Sequence, residues 1–131
     1  MKKQKICIIG DGLAGLTSTC ALKNLNIDID FYCKKEKERK KDDIRTTAIS
    51  DLNLKFLKKI INFKNSKLFW PCKNIDLFYE NKKKISNFLN FDNQENFLMH
   101  IFENKKFKDH LKKNIKSKNL KIINKEISTI D

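Results

Sequence analysis

The sequence predicts an α/β fold: a parallel sheet with a helical crossover, and an antiparallel hairpin inserted apart from it. Three stretches carry that prediction. The first is a continuous apolar run, Ile6-Cys7-Ile8-Ile9, that enters Gly10-Asp11-Gly12-Leu13-Ala14-Gly15 with no polar alternation. Such a run reads as a strand buried on both faces, the usual state of a central parallel strand. The second is Ile27–Tyr32, where Ile27, Ile29 and Phe31 alternate with Asp28 and Asp30. A helical pattern separates these two strands, and a connection of that length returns the chain parallel to its start. The third is a pair of strand-like runs, Asn74–Tyr79 and Lys84–Asn90, around the polar turn Glu80-Asn81-Lys82-Lys83.

In chain order, the strand Lys5–Ile9 leads to a helix over Leu13–Leu25, with Leu13, Leu16 and Cys20 on one side. Asn24 and Asn26 supply its stop, since Asn tolerates the left-handed conformation that ends many helices. The glycines thus stand between strand and helix, where G-x-G-x-x-G has a mechanism. Gly10 permits the tight turn, Gly12 lets a pyrophosphate approach the backbone, and Gly15 lets the helix pack close to the strand. Leu13 and Ala14 open the helix, whose free N–H groups and partial positive charge favour phosphate. The chain contains 3 glycines and the motif uses all of them, so a chance cluster of ordinary turns is the poorer account. The unit reads as Rossmann-like and dinucleotide-binding.

A solvated charge run, Lys34–Asp43, follows the second strand as a loop. The stretch Asp43–Ser50 then turns abruptly to small and hydroxyl-bearing residues. Ser50 suits the N-cap of a helix over Asp51–Ile61, whose Leu54, Leu57 and Ile61 share one stripe. Beyond the hairpin, Phe97–Phe102 is a short apolar run and Glu103–Lys116 is helical, with Phe107, Leu111 and Ile115 at i, i+4 and i+8. Leu120–Ile123 and Glu126–Ile130 read as short strands. The last residue follows a strand-like segment without a terminal cap, so a chain cut short is expected.

Composition narrows the function classes. At 131 residues, 40% of them hydrophobic, the chain suits one domain with a modest core. The net charge of +13 invites a nucleic-acid reading. Its positive charge is nearly all lysine, with Arg39 and Arg45 the exceptions, whereas base readout and bidentate phosphate recognition favour arginine. A solvated lysine-rich surface is the better account, and no nucleic-acid partner is expected. Attraction to an anionic membrane surface stays open, though no amphipathic helix stands out to make the contact. Cys7, Cys20, Cys33 and Cys72 form no C-x-x-C pair, and with His100 and His110 they give no zinc spacing. Reduced, mostly buried thiols and no metal are therefore expected. No stretch reaches the length of a membrane span, and no signal peptide opens the chain. A cytoplasmic location is expected, with peripheral attachment to the inner membrane as a variant of it.

Two residues bear on which dinucleotide. The second strand of such folds usually ends in an acidic residue about 20 residues past the glycines, where it binds a ribose hydroxyl. Cys33 holds that place here, followed by Lys34 and Lys35, which would suit the 2′-phosphate of NADP. Glu36 or Glu38 would have to fold back to serve the same ribose. Arg45 stands in an uncharged run just upstream of a helix. It reads either as a surface arginine or, more sharply, as a planar fork aimed at a phosphate.

Lys5–Lys35, Asp43–Leu57 and Phe102–Leu111 together resemble the N-terminal part of the flavin-dependent aromatic hydroxylases, class A monooxygenases related to para-hydroxybenzoate hydroxylase. Within them the ubiquinone-biosynthesis branch is the most similar. Asp43, Arg45, Ala48 and Ser50 match its Asp-x-Arg-x-x-Ala-x-Ser segment, and Glu103-Asn104 with Phe107 and Leu111 resembles its Glu-Asn-x-x-Leu helix start. Trp70-Pro71 and Asn74–Tyr79 resemble the entry into its substrate-side sheet. The resemblance implies a Rossmann-like, FAD-binding three-layer fold. It implies a single N-terminal FAD-binding domain over residues 1–131, truncated, with 73–102 beginning the substrate-side β-sheet. It implies FAD held by Gly10, Gly12, Leu13, Ala14 and Gly15, with Cys33 at the ribose position and Arg45 and Ala48 beside the cofactor. NAD(P)H would be the transient reductant, O₂ the oxygen source, and a small aromatic ring the substrate, a polyprenylated ubiquinone precursor among the candidates. The family's downstream Gly-Asp flavin motif has no counterpart here, and no residue offers itself as an acid, base or nucleophile, so no catalytic residue is assigned.

Two other functions compete with a monooxygenase portion. An NADP-dependent reductase on an ordinary Rossmann unit would use Lys34-Lys35, but the segments after Ser50 do not continue strand–helix alternation. A non-catalytic basic module binding RNA or acidic lipid would leave the glycine motif and Arg45 unexplained.

Overall fold

The computed structural model describes residues 3–34, 43–61, 66–81, 84–92, 95–125 and 127. Its elements run β1 (Gln4–Ile9), α1 (Leu13–Leu22), β2 (Ile27–Cys33), β3 (Thr46–Ser50), α2 (Asp51–Ile60), β4 (Trp70–Cys72), β5 (Asn74–Asn81), β6 (Lys84–Asp92), β7 (Met99–Glu103), α3 (Asn104–Asn114) and β8 (Leu120–Asn124). β1 and β2 pair in parallel across α1, with Ile6 opposite Ile29 and Ile8 opposite Phe31. β8 joins the other edge of β2, also in parallel, giving the order β1-β2-β8. A second sheet, β3-β7-β4, is antiparallel. The hairpin β5–β6 forms a sheet of its own, apart from the parallel one. The fold is α/β, with a parallel sheet and separate antiparallel sheets.

The helices supply the layer between the two larger sheets. Leu16 and Cys20 of α1, Phe31 of β2, Leu54 of α2, Phe102 of β7, and Phe107 and Leu111 of α3 belong to one buried cluster. The rings of Phe69, Phe102 and Phe107 meet edge to face, with centroids 4.8–5.5 Å apart. Such pairs add about 0.5–1.5 kcal/mol beyond the area they bury. The i, i+4, i+8 stripe of Phe107, Leu111 and Ile115 is buried as the spacing predicts. Ser50 caps α2 as expected, its hydroxyl accepting from the Asn53 N–H at 3.3 Å.

Several expectations are corrected. β1 is not buried on both faces. It is an edge strand of its sheet, so Cys7 and Ile9 are exposed and Ile6 and Ile8 only half-buried, while β2 holds the centre with Ile29 and Phe31 each 1% exposed. α1 stops at Leu22 rather than Leu25. The Lys23 N–H closes on the Thr19 carbonyl and its ammonium reaches the Asn114 carbonyl, which ties the ends of α1 and α3 together. Thr46–Ser50 and Trp70–Cys72 are strands that no local pattern in the sequence predicts. Each is short and, among the described residues, pairs with β7 alone. Of the thiols, only Cys20 is fully buried, and burial pushes its pKa up; Cys33 and Cys72 are half-buried and Cys7 is exposed. The loop expected over Lys34–Asp43 and the strand expected over Glu126–Ile130 lie mostly outside the described residues. Among the described residues no helix is long and apolar enough to cross a membrane, and no cluster of ligating side chains would hold a metal ion.

Candidate functional site

The site grows from the turn between β1 and α1. Gly10 has φ +99°, a conformation that costs a side-chain-bearing residue strain and glycine none. Its N–H donates to the Tyr32 carbonyl at 2.9 Å, which carries the β1–β2 pairing into the loop. Gly15 touches the turn from the helix side. A Cβ there would lie 2.0 Å from the Gly10 carbonyl oxygen, so only glycine permits this closeness of helix and strand. Gly12 differs from both. Its φ of −67° suits any residue, and a Cβ added to it meets nothing within 4 Å. The space over Gly12 is therefore open, and neither strain nor packing requires a glycine there.

That open space faces the start of α1. Gly12 is the N-cap, its carbonyl accepting from the Leu16 N–H at 3.1 Å, so the N–H groups of Leu13, Ala14 and Gly15 lie in the unsatisfied first turn. No side chain caps this end, and its first turn holds no acidic residue. A diphosphate fits this cradle: backbone donors, the positive end of the helix dipole and clearance above Gly12. Asp11 would oppose an anion, but Lys108 of α3 stands 3.9 Å from its carboxylate and offsets the charge.

Of the other predicted residues, Cys33 lies beside the glycine loop, Arg45 connects to it through α3, and Ala48 lies in another sheet. Cys33 follows Tyr32, the residue bonded to Gly10, and so lies at the mouth of the loop. Its thiol donates to the Asn124 side-chain oxygen at 3.2 Å, so a polar amide accompanies it where a carboxylate is usual. Arg45 reaches the site through α3. Its carbonyl accepts from the Asn104 N–H at 3.0 Å, and Asn104, 7% exposed, also accepts from the Thr47 hydroxyl at 2.6 Å. The N-terminal half of α3 thus binds the segment leading into β3 through Asn104 and contacts the glycine loop through Lys108. The Arg45 fork pairs with Asp43, Nε to Oδ1 at 2.8 Å and Nη2 to Oδ2 at 2.9 Å, and these bonds hold the Asp43 carboxyl down at about 2. Ala48 lies three residues farther along, exposed on β3 opposite Ile101, in a different sheet from the glycine loop.

Comparison with solved structures gives the fold a context. The chain superposes over 100% of its length on the tetrameric form of 2-methyl-3-hydroxypyridine-5-carboxylic acid oxygenase, with a TM-score of 0.71 and 17% identity. It superposes over 92% of its length on 2,6-dihydroxypyridine-3-hydroxylase from Arthrobacter nicotinovorans, with a TM-score of 0.64 and 11% identity. The chain shares their fold. It spans 34% of the first protein and 29% of the second, about a third of each. No family model matches the chain, and no curated protein does.

Asn104, Lys108 and Asn124 contact Arg45, Asp11 and Cys33, and the sequence alone does not single them out as candidate site residues. Asn104 left a trace, as the Asn of the Glu-Asn helix start. Lys108 and Asn124 left none, because each is one of many Lys and Asn and gains its place only from tertiary pairing.

Proposed function

We propose that this chain is the FAD-binding portion of an NAD(P)H-dependent monooxygenase that hydroxylates an aromatic ring. The observation that carries the reading is Gly12: open space over a residue that has no conformational need to be glycine, at the uncapped start of α1. A bound pyrophosphate supplies the reason for that glycine. Leu13, Ala14 and Gly15 would hold the phosphates through their N–H groups, with Cys33 and Asn124 at the ribose end and Arg45 beside the cofactor. FAD, once bound, supplies the redox chemistry by which O₂ oxygenates an electron-rich ring. The protein's part is to bind, orient and exclude water. Likeness in fold to two proteins named for oxygenating or hydroxylating hydroxypyridines supports an aromatic substrate. A ubiquinone precursor, polyprenylated and met at a membrane surface, is the finer form of the proposal and rests on the Asp43–Ser50 and Glu103–Leu111 resemblances. An ordinary NADP-binding Rossmann unit is disfavoured, because β3 leaves the parallel sheet and pairs antiparallel with β7.

The test is Gly12→Val. The side chain enters open space, so the melting temperature should hold while FAD binding, followed by flavin fluorescence on titration, is lost. Equal FAD titrations for the two proteins would reduce the glycine loop to a turn.

A further inference from the structure

We infer that the cleft between α2 and the segment leading into β7 is a second ligand site, one that takes a nucleoside phosphate with its base against Phe97 and its phosphate on Lys58 and Lys73. The cleft lies away from the glycine loop, and the inference goes beyond the flavin reading. Its volume is about 330 Å³, and ligand clefts begin at about 300 Å³.

Four features define what fits. Leu54, 1% exposed, gives the cleft an apolar wall. Phe97 gives it an aromatic one, partly exposed and set edge-on to the His100 ring, with centroids 5.2 Å apart at 71°. A planar base stacks on such a ring whatever its identity. Lys58 comes from α2 and Lys73 from the junction of β4 and β5, so separate elements bring two cations to one opening. Lysine acts on phosphate as a point charge, and Lys73, 5.8 Å from the Phe97 centroid on a flexible stem, can turn from the ring to a phosphate.

The fourth feature is His100. Its side chain is nine-tenths buried, it lines the cleft, and its Nδ1 has no hydrogen-bond partner among the described residues. The Asp51 carboxylate stands 3.8 Å from that nitrogen, beyond hydrogen-bond reach. A buried polar atom left so is costly; the nitrogen is closed to solvent, so a ligand atom reaches it, and removes the cost, only with a turn of the His100 ring. Burial also lowers the His100 pKa and so favours the neutral ring, beside which the edge of a base is better placed than a second anion. The two carboxylates of the cleft set the orientation. Lys55 neutralises Asp51 at 2.6 Å, and Glu95 turns a phosphate away from its own side toward Lys58 and Lys73.

The chain has 2 histidines, so the His100 ring resonances can be followed by NMR in the 131-residue protein. AMP, adenosine and inorganic phosphate are titrated separately into the wild type and into Gly12→Val. The expected result is that AMP shifts the His100 resonances equally in both, at least tenfold more tightly than adenosine or phosphate. A Lys58→Gln/Lys73→Gln double variant should bind AMP at least tenfold more weakly and adenosine unchanged. A parallel titration with NADPH separates the sources: binding by both ligands assigns the site to the nucleotide half of a dinucleotide, binding by AMP alone to a free mononucleotide. AMP binding in the wild type but not in Gly12→Val would place the ligand on the glycine loop and overturn this inference while supporting the flavin reading. AMP binding no tighter than phosphate, full affinity in the double variant, or an unmoved His100 would overturn it outright.

Discussion

At Arg45 the planar fork is already engaged from within the chain, both its Nε and Nη2 bonded to Asp43. A phosphate must therefore share or displace Asp43, and either demands the guanidinium's geometry rather than its charge alone. Arg45→Lys is expected to weaken FAD binding by about 1–2 kcal/mol, the scale of a charge-assisted hydrogen bond. It should also let the Asp43 carboxyl climb from about 2 toward its ordinary 3.8. Titration of FAD and an NMR titration of the Asp43 carboxyl check the two halves, and unchanged FAD affinity would leave Arg45 a surface residue. His100 makes a pH prediction. Burial depresses its folded pKa below 6.5 against the weaker opposing pull of Asp51, so the fold favours the neutral ring. The unfolded chain then binds the proton more readily. The contribution is present above the unfolded pKa and is lost as pH falls below it. The urea midpoint should drop between pH 7 and pH 5, and His100→Gln should flatten that slope; an equally steep slope in the variant would assign it to another group.

Among the elements, the β1–α1 turn makes the sharpest prediction, because its glycines serve different ends. Gly15→Ala drives a Cβ toward backbone, the Gly10 carbonyl at 2.0 Å, and no side-chain rotation relieves it. Overpacking of this kind costs about 1–3 kcal/mol, so thermal melting of Gly15→Ala should fall well below that of Gly12→Val. Matching melting curves would refute the close approach. This turn was also the most legible part of the sequence. Its glycines, the apolar run before them and the alternation at Ile27–Phe31 are local signals, and β1, α1, β2 and their parallel pairing follow from them. β3 and β4 were not legible. Thr46–Ser50 offers only Ile49 as an apolar inward residue, and Trp70–Cys72 is three residues long with proline at its centre. Both are strands because β7 lies between them, a fact that no window of local sequence contains. The burial expected of β1 failed for a related reason: an apolar run tells of a strand's composition and not of its place in the sheet order. The candidate site divides in the same way. The cradle was readable from its motif, while Asn104, Lys108 and Asn124 enter through pairings between distant segments.

For the molecule as a whole, the cradle is a surface feature. Gly10, Gly12, Ala14 and Arg45 are all exposed, so a flavin held there meets water. Enzymes that pass reactive oxygen species to a substrate close their sites to prevent loss to solvent. The 131-residue chain is expected to bind FAD weakly and to yield no hydroxylated product. The check is NADH or NADPH oxidation with added FAD and a polyprenylated phenol, products followed by mass spectrometry; a hydroxylated product would show that this chain suffices. The position of β2 between β1 and β8 has another consequence, for the order of assembly. Three contacts between the two ends of the chain, Cys20 with Leu111, Lys23 with Asn114 and Cys33 with Asn124, each join residues 91 positions apart. During synthesis β2 leaves the ribosome early, yet its second edge waits until residues 120–124 follow. For that interval Ile29 and Phe31 lack their cover and an open strand edge stands beside them, the condition in which nascent chains mispair or recruit chaperones. Folding of this chain is thus expected to be late rather than progressive, with the central strand among the first made and the last secured.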